Sequence, residues 1–156
     1  MNAVTQFIIA VMVLSLSFCR SSEGIVLDSS GENLEERIST MNKIIGPISS
    51  VPSKILDTHY IETKIGNGRI GPSDYYFYAS IKVSKGEVKK WSQNLKEPYN
   101  GVTQFSSPEI SKNWWLTKKK FTNLKLYETK TYFGRYNGWL AVDDENDQIF
   151  VHTYTQ

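Results

Sequence analysis

Apolar residues recur along this chain in three rhythms. From Phe7 to Phe18 they are almost continuous (FIIAVMVLSLSF), a run of signal-peptide length that falls short of the roughly 20 residues needed to cross a hydrocarbon core. Leu34, Ile38, Met41 and Ile45 then recur at three- and four-residue spacing, which predicts an amphipathic helix stopped by Gly46-Pro47. The simplest use of such a face is to lie on a sheet. Lys54 to Ile65 reads as a strand, Gly66-Asn67-Gly68-Arg69-Ile70-Gly71 as a turn, and Asp74 to Val83 as the returning strand of a hairpin. With a period of two, Tyr75, Phe77, Ala79, Ile81 and Val83 share the face expected to be core, and Tyr76, Tyr78, Ser80 and Lys82 share the other.

Ser84-Lys85-Gly86-Glu87 has the form of a capping box, and Val88, Trp91 and Leu95 behind it share one face of a second helix ending before Pro98. Tyr99 to Thr117 is the least regular stretch. Within it Ser107-Pro108-Glu109 suits a helix start, with Trp114 and Trp115 near that helix's end. Four strands follow: Leu124 to Glu128, Thr131 to Arg135, Gly138 to Asp143 and Gln148 to Tyr154, with Asn137-Gly138 and an acidic stretch as turns. Short turns favour antiparallel pairing. The chain is therefore expected to be an α+β protein, a single domain with a mainly antiparallel sheet and about two helices on one face.

The leader divides the chain into residues 1–19 as a signal peptide, 20–30 as a polar tether punctuated by glycine, and 31–156 as the folded domain. Leu16-Ser17-Phe18-Cys19 resembles a bacterial lipobox, the signal of lipoprotein precursors. The resemblance implies that Cys19 becomes the first mature residue, carries a lipid and anchors the domain to a membrane. The alternative is cleavage by ordinary signal peptidase between Ser17 and Ser22, with Cys19 incidental. Either way the domain is expected in the cell envelope or outside it.

Composition narrows the function more than it names it. Hydrophobic residues make up 40% and aromatics 13% of the 156 residues, enough apolar area to fold a core. A net charge of +2 gives no basic stripe for nucleic acid. Cys19 is the sole cysteine, so the domain has neither an internal disulfide nor a thiolate metal cluster.

Several motifs tempt and fail on context. The G-x-G-x-x-G string at residues 66–71 is followed by another strand rather than the helix that a pyrophosphate site requires. Asp143-Asp144-Glu145-Asn146-Asp147 begins like a calcium loop, yet Gln148 stands where that loop needs glycine and Tyr154 where it needs a closing glutamate. His59 and His152 fall on predicted strands with no third ligand selected by spacing. Lys118-Lys119-Lys120 beside Trp114 and Trp115 reads as a solvated face. Neither metal nor cofactor is expected.

Tyr132-Phe133-Gly134-Arg135-Tyr136-Asn137-Gly138-Trp139 concentrates rings and an arginine around one expected hairpin turn. Those residue types carry interface energy, so Arg135, Tyr136 and Trp139, with Trp114 and Trp115 as neighbours, are the candidate binding residues. The expected function is a binding or interaction module of the envelope, of inhibitor or immunity type, with an envelope protein or a glycan as partner. The alternative is a hydrolase of envelope polymers that draws a carboxylate pair from Glu62, Asp74, Glu128 and Asp143.

Overall fold

The structure, a computed structural model, describes residues 24–66, 71–93, 95, 101 and 103–155. The leader with Cys19, the first tether residues and the centre of the glycine-rich 66–71 turn lie outside the described residues.

Six strands form one open sheet. They are β1 (Gly24–Asp28), β2 (Ile55–Ile65), β3 (Asp74–Val83), β4 (Lys125–Tyr127), β5 (Asn137–Asp143) and β6 (Gln148–Tyr154). Their order is β1-β2-β3-β6-β5-β4 and every neighbouring pair is antiparallel. Among the described residues four α-helices accompany them, α1 (Leu34–Ile45), α2 (Lys89–Gln93), α3 (Lys118–Phe121) and α4 (Lys130–Phe133), with a 3-10 turn at Ser29–Gly31. The chain is thus an α+β fold built on an antiparallel sheet.

Helix α1 begins where the sequence supplies a reciprocal cap. Asn33 Oδ1 accepts from the Glu36 amide at 3.1 Å, and Glu36 Oε2 accepts from the Asn33 amide at 2.9 Å. Two of the orphan donors at the helix start are thereby satisfied. Met41 and Ile45 bury against the sheet, on the face that carries Tyr60, Phe77, Ala79, Ile81, Leu140, Ile149 and Val151. Val88 and Trp91 at α2, and Tyr132 and Phe133 of α4, complete that core. The period-two reading of β3 therefore names its core side correctly from Phe77 to Val83.

The opposite face of the sheet is also buried. Residues 103–124, mostly irregular, lay Trp115, Leu116 and Phe121 over Ile61, Tyr78, Trp139, Ala141 and Phe150. A second core built by a loop has no periodicity to announce it.

Four expectations need correction. Residues 24–28 of the expected tether are an edge strand, with Asp28 paired opposite Ile61 and Ser29 buried behind it. No helix starts at Ser107: residues 103–112 run without regular structure. The expected strand at Thr131 to Arg135 is mostly the single-turn helix α4, because Gly134 at φ +65° closes a helical turn by donating to the Lys130 carbonyl at 2.9 Å. Only as a helix does this stretch send both neighbours, Tyr132 and Phe133, into one core. Asn137-Gly138 likewise does not turn a hairpin but opens β5, opposite Tyr154 and Thr153. Gly138 has φ +112°, and a Cβ there would lie 2.0 Å from the His152 carbonyl oxygen. Close backbone approach is what requires glycine. A smaller difference concerns the turn before α2, where the Glu87 amide donates to the Ser84 carbonyl at 2.9 Å.

Candidate functional site

Strand β1 covers only the upper part of β2, from Ile61 to Lys64, so among the described residues the outer edge of β2 below it has no neighbouring strand. Its outward amides are satisfied by side chains instead. The Tyr60 amide donates to Ser29 Oγ at 2.9 Å and the Thr58 amide to Asp57 Oδ1 at 2.7 Å. The same Asp57 oxygen accepts from Arg37 of α1, from Nε at 3.0 Å and from Nη2 at 2.7 Å. Arg37 Nη1 donates to the Glu32 carbonyl at 2.9 Å, and the Tyr60 hydroxyl donates to the Glu32 carboxylate. Burial, with the Glu32 carboxylate beside it, pushes the Tyr60 phenol up to about 12. These contacts bind α1 to the lower part of β2 without a covering strand.

His59 stands two residues after Asp57 and so points to the same side of the sheet. Its Nε2 lies 3.6 Å from Asp57 Oδ2. Its ring is parallel to Trp114, with centroids 6.0 Å apart and planes at 14°. Burial lowers the His59 pKa; the nearby Arg37 adds to that and Asp57 opposes it. The imidazole is therefore neutral at neutral pH. Trp114 in turn meets Trp115 edge-on at 5.9 Å. Leu56, at 40% exposure, adds an apolar side chain to the same uncovered strand. A half-exposed indole is thus held against two rings, one of which, His59, lies beside the Asp57–Arg37 pair.

The residues singled out in the sequence scatter over the molecule. Trp139 is 1% exposed and stacks on Trp115 at 5.8 Å, so both indoles are core. Arg135 lies on the other side of the sheet, over the Phe77 ring, where Nη2 donates to Glu62 Oε1 at 2.6 Å and Nη1 to Thr153 Oγ1 at 3.2 Å. Its guanidinium is occupied. Tyr136 is 70% exposed, with Lys130 Nζ 4.6 Å from its ring centre. Trp114 alone of the three candidate tryptophans stays half-exposed. Leu56, Asp57 and Arg37 escaped the sequence reading: Arg37 and Asp57 lie twenty residues apart and only the fold joins them. The i, i+2 spacing of Asp57 and His59 on a strand was a signal that could have been used.

The other motifs are engaged structurally. Asp143 is buried on the tryptophan side of the sheet, where Lys120 Nζ lies 2.5 Å from it and the Asn146 side chain donates at 3.0 Å. Burial would raise its pKa; the Lys120 and Asn146 donors outweigh that and hold the carboxyl below its ordinary value. Glu62, paired opposite Phe77, belongs to the other face. Asp147 accepts from the Gly86 amide at 2.7 Å, so the acidic turn braces the entry to α2. His152 is buried between Tyr78, 4.5 Å away, and Tyr154, 5.6 Å away, and burial pulls its pKa down to about 4. Among the described residues no group of three His, Cys, Asp or Glu is placed to hold a metal ion, and no helix is long and apolar enough to cross a membrane. An open cleft of about 560 Å³ between α2, α3, β4 and the acidic turn presents lysines and carboxylates together. Compared with known protein families, curated proteins and solved structures, the chain matches none.

Proposed function

We propose that this chain is an exported interaction protein of the cell envelope, held to a membrane through Cys19, which occludes a protein partner with the uncovered edge of β2. The supporting observation is Trp114, half-exposed and held by Trp115 and by His59, which in turn lies beside Asp57 of the Arg37–Asp57 pair. A rigid indole loses little conformational entropy on binding, and Trp and Arg dominate interface energetics. Of the carboxylates considered for hydrolysis, Glu62 and Asp143 lie on opposite faces of the sheet and each is neutralised by a cation. Binding therefore suits the site better than turnover.

The test is affinity capture from envelope extract with the acylated protein, followed by titration of the recovered partner. Trp114→Ala is expected to weaken binding at least about 30-fold, the loss of a central interface residue, and also to lower the melting temperature by removing its packing on the second core, so affinity is read well below both melts. Arg135→Ala is expected to lower the melting temperature and leave affinity alone. Wild-type affinity in Trp114→Ala would refute the assignment of this surface. Tyr136, the most exposed ring among the described residues, carries a second reading, and Tyr136→Ala tests it in the same titration.

A further inference from the structure

Seven large hydrophobic side chains are strongly exposed among the described residues, and three of them gather at the β1 edge. Ile25 is 50%, Val26 52% and Ile110 52% exposed. Ile25 and Ile110, together with Ile65, line a hollow of about 270 Å³ there. A bulge between Ile25 and Leu27 breaks the alternation, which is how two successive residues both reach the outside. Natural edge strands are commonly blunted by charge, especially lysine. This one reads Gly-Ile-Val-Leu-Asp, and its only charge is neutralised: Lys112 Nζ sits 2.8 Å from Asp28 Oδ2. The strand is apolar and its own charge is paired, and the exposed Glu109 beside Ile110 adds a carboxylate to the lining of the hollow.

We infer that the β1 edge, with Ile25, Val26 and Ile110, rests on the lipid surface that holds the acyl chain of Cys19. The inference depends on the lipid-anchor reading. Gly24 follows Cys19 by five residues, a span of at most about 18 Å even when fully extended. An anchor that short confines β1 near the headgroups, and an apolar edge so confined gains by burial at the boundary. Strand β4, at the other edge of the sheet, then faces away from the membrane.

Acylation of Cys19 leaves any introduced cysteine as the sole free thiol, which makes a direct test simple. Nitroxide labels on Ile110→Cys and, separately, on the exposed turn residue Glu145→Cys are compared in acylated protein reconstituted into vesicles of phosphatidylethanolamine and phosphatidylglycerol. Power saturation measures access to oxygen, which concentrates in lipid, and to a water-soluble nickel chelate. The label at 110 is expected to favour oxygen severalfold over the label at 145. Equal access of both labels to nickel, in protein whose intact mass shows the acyl chain, overturns the orientation alone. Strong dipolar broadening between labels at 110 would mean that β1 edges of two copies pair, and overturns it too. An intact mass without an acyl chain overturns the anchor and the orientation together.

Discussion

Among single residues, His152 makes the most legible prediction. In the folded chain it stays neutral down to about pH 4, whereas in the unfolded chain it titrates near its ordinary 6.5. Unfolded protein therefore binds a proton that folded protein refuses, and stability falls as pH drops from about 6.5 toward 4. The loss approaches roughly 3 kcal/mol across that window. His152→Phe keeps a flat ring between Tyr78 and Tyr154 and removes Nδ1, which is buried without a hydrogen-bond partner. Urea unfolding at pH 7.5 and 4.5 is expected to show the difference in wild type and a smaller one in His152→Phe, left by His59, whose pKa burial also lowers. Gly138 is the second case: Gly138→Ala forces a side chain onto φ +112° and into the His152 carbonyl, and its expected cost is about 3 kcal/mol or more in the same assay. Neither role could be read from sequence. Asn-Gly is a strong turn pair because glycine tolerates positive φ, and the same tolerance serves equally where two backbones nearly touch.

For the elements, legibility followed periodicity. Helix α1 and strands β2, β3, β5 and β6 lie within a residue or so of where the spacing of apolar positions puts them, since each presents a regular face to a core. Strand β1 is five residues long with a bulge, and α4 is one turn, so neither completes a recognisable period. The loop that buries the second face of the sheet has no period at all, which is why Trp115 passed for a surface residue. The cap of α1 is local enough to test alone. Asn33→Ala removes one acceptor and leaves the Glu36 amide to solvent, with an expected loss of about 1 kcal/mol by chemical denaturation. The candidate site was legible only as far as Trp114, because Arg37, Asp57 and His59 acquire meaning from the absence of a strand beside the lower half of β2.

At the scale of the whole molecule, both faces of the sheet are covered, and the two open edges differ in character. The β1 edge is mainly apolar, with Glu109 beside its hollow, while the short β4 edge borders a cleft of mixed charge. Such polarity gives the domain a defined way up on a surface. The order β1-β2-β3-β6-β5-β4 also places the first three strands on one side of a seam and the last three on the other, joined where Tyr76 meets Tyr154 and Lys82 meets Gln148. Every residue of that seam is separated from its mate by a long stretch of chain, and loops of that length close slowly. During synthesis β3 waits for a partner that emerges last, so a nascent chain would pass through an interval in which neither core is sealed. Under the export proposed above, that delay is useful, because a chain threaded through a narrow channel must stay unfolded until its last strand has been made.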